Sequence, residues 1–212
     1  HENLRLRDKA WLEGVERWFQ SKAAGKPVNE AAPPMFAPFR LREMEVANRV
    51  VVSPMATYSA VDGCPNDFHL VHYGARASGG AGLIFTEMTD VSADARITPG
   101  CAGMYDAKHV YAWKRIVDYV HTHTGAKFAL QLAHAGRKGS TKPPAAGANP
   151  LKPEEGAWET LAPSAIPYGP DWHVPRAMTS DEMKSTLTDY INMVQRAERI
   201  GYDLLELHAA HG

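Results

Sequence analysis

Short apolar runs alternate with amphipathic stretches from Asn48 onward, and that alternation is how parallel strands joined by crossover helices are written in a sequence. Four runs read as strands: RVVVSPM (49–55), GLIFTEM (82–88), KFALQLAH (127–134) and DLLELHA (203–209). Helical spacing covers His69–Gly79, about Lys108–Thr124 and Ser180–Ile200 between them. The last stretch carries the plainest boundary signals. Thr179 and Glu182 stand in capping-box spacing, Met183, Leu187, Ile191 and Val194 recur along one face, and Gly201 ends it. Four βα units make half of an eight-stranded α/β barrel. A four-stranded open sheet is the alternative, but it leaves its last strand as an uncovered edge.

The 212 residues are 44% hydrophobic and 22% charged, enough to bury a core. With 23 Lys+Arg against 24 Asp+Glu the net charge is −1, so there is no positive field to hold nucleic acid or an anionic membrane. No apolar run approaches the ~20 residues that cross a bilayer, and HENLRLRDKAW lacks the layout of a secretory signal. The expectation is a cytoplasmic protein with Cys64 and Cys101 as free thiols. Upstream, Trp11, Leu12, Val15, Trp18 and Phe19 form one face of a helix from Asp8 to about Lys22, and AAGKPVNEAAPP follows as a linker. Residues 1–34 are therefore read as a helix and linker, and 35–212 as the barrel half. Beginning without Met, the chain reads as a piece of something longer; the helix is either the tail of a preceding domain or an arm folded back on the barrel.

Barrels of this kind work at the C-terminal ends of their strands, and here those ends are polar. They run Ser53-Pro54-Met55-Ala56-Thr57-Tyr58, Thr86-Glu87-Met88, Gln131 to His134 with Arg137 and Lys138 beyond, and Glu206-Leu207-His208-Ala209-Ala210-His211-Gly212. His208 and His211 converge only if the strand has already turned into its loop. Converged, they could donate to a developing oxyanion, or bind zinc with His134 or Glu206 as a third ligand, or serve only as satisfied structural histidines. Gln131 shares its face with Ala129 and Ala133, so its amide needs either a polar neighbour or the edge of a ligand ring. Tyr58 offers a phenol over the barrel mouth, and His134 to Lys138 is either an anion-attracting loop or a solvated one. His69 and His72 are read as structural or exposed. No GxGxxG, GxxxxGK[ST] or GxSxG occurs, which argues against a Rossmann site, a P-loop and an α/β-hydrolase elbow.

In order along the chain, PFRLREMEVANRVVVSPMATYS (38–59), HLVHYGARASGGAGLIFTEMTDVSADARIT (69–98), ALQLAHAGRK (129–138), LAPSAIPY (161–168) and GYDLLELHAAHG (201–212) resemble the flavin-dependent old yellow enzyme family, with HAAHG favouring its bacterial branch. The resemblance covers about Phe36 to Gly212. It implies a TIM (β/α)8 barrel holding FMN at its C-terminal mouth, with NADH or NADPH as reductant and an activated C=C bond as the group reduced. Pro54, Met55, Ala56 and Met88 would line the flavin, and Gln131 would meet its pyrimidine edge. His208 and His211 would hold a substrate oxygen over the ring, His208 also touching the cofactor, and Tyr58 would close the pocket. Ala56 departs from the family's usual Cys or Thr. The family's proton-donating Tyr follows the Gly of HAAHG, where this sequence ends. Its FMN-phosphate segments also come later, so the chain alone is expected to bind FMN poorly. HENLRLRDKAWLEGVERWF and PPMFAPFRLR resemble the junction of two-domain flavoproteins in which an FAD-dependent aromatic-acyl-CoA monooxygenase precedes such a reductase. That implies a dearomatised aromatic-acyl-CoA substrate, the rest of the polypeptide as partner, and a homo-oligomer. A metal-dependent hydrolase and a catalytically silent interaction module are the competing expectations.

Overall fold

A computed structural model describes residues 6–210. Helix α1 (Lys9–Ala24) starts on the Asp8 side chain, which accepts from the Ala10 amide at 3.0 Å. A hairpin follows, β1 (Phe39–Leu41) paired antiparallel with β2 (Met44–Val46). Then come β3 (Val51–Val52), α2 (Asp67–Ser78), β4 (Leu83–Asp90), β5 (Ala102–Gly103), α3 (Ala107–His123) and β6 (Lys127–Ala133). The short parallel pair β7 (Leu161–Ala162) and β8 (Arg176–Ala177) precedes α4 (Ser180–Ile200) and β9 (Leu204–Leu207). Strands β3, β4, β6 and β9 lie side by side in that order, all parallel, with β5 against the end of β4.

Each crossover helix is started by a side chain that satisfies an otherwise unpaired amide. Thr179 and Glu182 form the expected capping box on α4, and Gly201 ends that helix at φ 95°, in the left-handed region open to a residue without Cβ. On α2 and α3 the box is built from Asn66 with His69 and from Asp106 with His109, the imidazole Nδ1 accepting the cap amide at 3.1 Å in both.

The sheet separates two faces. Ile84, Phe128, Leu130 and Leu132 point to the helix layer, where Tyr73 and Ala77 of α2, Trp113, Ile116, Val117 and Val120 of α3, and Met193, Ala197 and Ile200 of α4 close over them. On the other face Leu83 and Ala129 meet Val46, Met44, Phe85 and Leu204, so the β1–β2 hairpin packs beneath the strands. Trp113 is fully buried and its Nε1 donates to the Gly103 carbonyl at 3.1 Å. Trp113→Ala is therefore expected to cost about 3–5 kcal/mol of stability, read by urea unfolding.

One expectation is corrected. The first strand is regular over Val51–Val52 alone, because Pro54 removes a ladder donor and the backbone leaves the sheet into the loop that carries Tyr58. The buried residues of α4 are Met193, Ala197 and Ile200, and the apolar stripe Met183, Leu187, Ile191, Val194 lies beside them. It is exposed and, from Leu187 onward, lines a groove with Leu205 and Leu207 of β9, whose outer edge carries no strand among the described residues. Beside helix α1, the Arg49 guanidinium lies 5.2 Å from the Phe19 ring and 5.2 Å from that of Phe39, while Trp11 and Trp18 stay exposed. Cys64 and Cys101 are free. No helix among the described residues is long and apolar enough to cross a membrane.

Candidate active site

The strand register brings the polar strand ends together. Met88 of β4 stands opposite Gln131 of β6, and Gln131 opposite Glu206 of β9, so three side chains form one row across parallel strands. A bulge in β4 makes this row possible. Phe85 pairs with Ala129 and Met88 with Gln131, so three residues on β4 span two on β6. The ladder amide of Gln131 goes instead to the Thr86 hydroxyl at 3.1 Å.

This row forms one wall of a cavity of about 520 Å³. Pro54, Ala56 and Tyr58 from the loop after β3 form a second wall, Ile97, His134, Ala135 and Lys138 a third, and His208, Ala209 and Ala210 beyond β9 the rest. That size matches a small-molecule pocket, and the mixture of apolar walls with a few convergent polar groups is what orients a ring ligand. The Gln131 Nε2 donates to Glu206 Oε1 at 3.2 Å, and its amide oxygen has no partner among the described residues. It therefore keeps an acceptor and a second donor, the pair that the edge of a flavin pyrimidine requires. His208 is fixed through its amide, 2.9 Å from the Leu132 carbonyl.

Two titratable groups at the rim have defined states. His134 Nδ1 accepts the Gly136 amide at 3.0 Å, which places the proton of the neutral ring on Nε2. Burial lowers its pKa, against the opposing pull of Asp94 and Asp189, so it is neutral at pH 7. The Tyr58 phenol is raised, first by burial and then by Cys101 and Glu87, and stays protonated. Lys138 places its ammonium 4.6 Å from the Tyr168 ring and brings a positive charge to the wall.

Beneath the wall, Glu87 is 1% exposed. Its carboxylate accepts the Thr57 amide at 2.7 Å and the Thr57 hydroxyl at 2.9 Å. The His69 Nε2 lies 2.8 Å away, close enough but not aligned for a hydrogen bond. Asp90, fully buried at the end of β4, has neither carboxyl oxygen paired. Burial pushes its pKa well above the usual carboxylate range, with Glu87 adding to the shift and Arg96 opposing it. A raised carboxyl keeps its proton in the folded chain after the unfolded chain has released one, so stability falls as pH rises above about 4, by up to ~1.4 kcal/mol per unit. Asp90→Asn lacks this dependence. Its thermal midpoint is expected to match wild type near pH 4 and to exceed it increasingly towards pH 8; parallel curves would show that Asp90 is ionised in the fold.

Of the residues singled out from sequence, Pro54, Ala56, Tyr58, Met88, Gln131, His134, Glu206 and His208 share the cavity. Met55 does not line it, and its side chain is 60% exposed. His211 and Gly212 lie outside the described residues, so the pairing of the two histidines rests on sequence. Among the described residues no group of three or more His, Cys, Asp and Glu is placed to hold a metal. Ile97 and Ala135 were not foreseen as lining residues, nor was Glu87 as the anchor of Thr57, although Glu87 was visible as a charge at a strand end.

A partial parallel α/β barrel with its cavity at the carboxyl ends of the strands defines the class: a barrel whose site is built from its βα loops. Residues 34–212 match the NADH:flavin oxidoreductase / NADH oxidase family, and the chain belongs to it. An NADPH dehydrogenase of Bacillus cytotoxicus is 36% identical over 180 residues, covering 84% of this chain and 47% of the relative. One from Listeria monocytogenes is 38% identical over 180 residues, covering 84% and 48%. Morphinone reductase in complex with tetrahydroNAD superposes with a TM-score of 0.71 at 31% identity, over 84% of this chain and 50% of that one. Old Yellow Enzyme from a Pichia species gives 0.71 at 28%, over 84% and 46%. The chain spans about half the length of the curated relatives it matches, and it supplies about the first half of the barrel. FMN with a reduced nicotinamide as reductant is the cofactor pairing that this membership gives the site.

Proposed function

We propose that this chain forms half of the active site of an FMN-dependent reductase that saturates an activated C=C bond with electrons from NADH or NADPH. The observation that carries the reading is the Met88–Gln131–Glu206 row beside His208, which gives a ring-sized cavity one amide edge and one imidazole. Gln131 would hold the pyrimidine edge of FMN, its amide kept in orientation by Glu206. Pro54, Ala56 and Met88 would bound the ring without adding charge, with Met55 contributing through its backbone alone. FMN, when bound, supplies hydride transfer from the nicotinamide to the β-carbon of the substrate. His208, with His211 as its proposed partner, would donate to the substrate oxygen as negative charge develops there. Tyr58, protonated, would close the pocket over the substrate. Turnover of 2-cyclohexenone with NADPH by the whole-gene product tests this. One NADPH should be consumed per ketone product; oxidation of NADPH without saturation of the alkene would refute the reductase assignment.

The finer reading is that the module belongs to a bifunctional aromatic-acyl-CoA monooxygenase/reductase of the salicylyl-CoA 5-hydroxylase or 2-aminobenzoyl-CoA monooxygenase/reductase type, acting on a dearomatised acyl-CoA. Residues 1–34 would then be the tail of the monooxygenase unit. The junction-like sequences HENLRLRDKAWLEGVERWF and PPMFAPFRLR and the exposed Trp11 and Trp18 of α1 support it. Extraction of both FAD and FMN from the whole-gene product is the expected result, and FMN alone would remove this finer reading.

A further inference from the structure

Tyr58 needs an external hold. Its φ of 54° lies in the left-handed region, which an aromatic residue occupies only where its surroundings over-determine it. The surroundings here come from three elements. Glu87 of β4 takes both the amide and the hydroxyl of Thr57, at 2.7 and 2.9 Å. Asn66, the cap of α2, donates to the Ser59 carbonyl at 2.8 Å. The loop before β5 packs Gly100 against the Tyr58 carbonyl, where a Cβ would come within 2.4 Å of the oxygen. The His69 ring packs behind the carboxylate, its Nε2 2.8 Å from Glu87 Oε1. Its Nδ1 accepts the Asn66 amide at 3.1 Å, which ties the ring to the cap of α2.

We infer that Glu87 is a positioning residue whose buried carboxylate, through its two bonds to Thr57, fixes the Ala56–Tyr58 turn and so sets where the Tyr58 phenol stands over the cavity. Glu87 does not line the cavity itself and acts through Thr57. The same contact couples the two walls. Glu87 is the residue before Met88, so the strand bulge that aims Met88 at the cavity also aims the carboxylate at the loop. The substrate-facing part of this inference rests on the flavin reading above; the structural part does not.

Hydrogen exchange on Glu87→Gln tests the structural part without any cofactor. The amides of Thr57 and Ala60 should exchange at least about tenfold faster, while Ile84 and Phe128 in the core keep wild-type protection. Unchanged exchange at Thr57, or faster exchange at all four, overturns the inference. Thr57→Val, which removes only the hydroxyl, should give a smaller rise at the same two amides. In flavin-loaded protein, the dissociation constant of 4-hydroxybenzaldehyde should rise about tenfold in Glu87→Gln and in Tyr58→Phe, and the double variant should be no weaker than the worse single one. Losses that multiply would mean that Glu87 does not act through Tyr58. A colourless whole-gene product would remove the flavin reading while the exchange result still decides what Glu87 holds.

Discussion

His208→Ala is expected to lower kcat/KM for an α,β-unsaturated ketone by about 10²–10³ per bound FMN. The imidazole sits on the first residues past β9, where its amide bond to Leu132 fixes the backbone and its ring borders the cavity. A donor placed there stabilises charge that appears on the substrate oxygen only as hydride arrives, so its loss should fall on kcat as well as KM. His208→Asn keeps a donor and should recover part of the rate. Steady-state rates together with the flavin-to-protein absorbance ratio give the measurement. Equal activity in wild type and His208→Ala would favour a catalytically silent module.

Gln131→Leu should act on the cofactor instead. The substitution keeps size and removes the amide that the row presents to the cavity, leaving the polar edge of a bound ring unpaired and Glu206 without its donor. An unpaired buried polar group costs about 1–3 kcal/mol, so the affinity for FMN should fall roughly 5- to 150-fold. The protein should leave the column depleted of flavin and take it up again only at high FMN concentration. Retained flavin with wild-type affinity would mean that Gln131 faces something else.

Much of the fold was legible because it rests on local rules. Helix α4 has both its ends written in side chains, Thr179 with Glu182 and then Gly201, and its observed bounds equal those read from the sequence. Helices α2 and α3 were found within two residues, although their caps went unread: a histidine fills the place usually held by Glu or Gln, and no simple pattern announces it. The short β3 was misjudged and the exposure of the α4 stripe was not foreseen, for a shared reason. Apolar periodicity marks a face that wants cover, not the cover it receives, and the neighbours that decide this are distant in sequence.

The site was legible where it depends on strand ends and obscure where it depends on register. His208 could be nominated because it follows an apolar run, Gln131 because its amide shares a face with Ala129 and Ala133, and Met88 from the family resemblance. That Glu206 would orient Gln131 follows from the β6–β9 pairing, which no local signal gives. Glu87 was visible as a charge, but a single extra residue in β4 decides whether it points at the cavity or at Thr57. Asp90 lay inside a quoted motif with nothing to mark it as an unpaired buried carboxyl.

The central claim is that the cavity between the β3 loop and the ends of β4, β6 and β9 holds FMN, and the visible spectrum of the whole-gene product tests it most directly. Absorbance near ~450 nm, one FMN per chain on extraction, and bleaching by NADPH without oxygen are the results predicted. A folded, colourless protein that takes up no added FMN would contradict it.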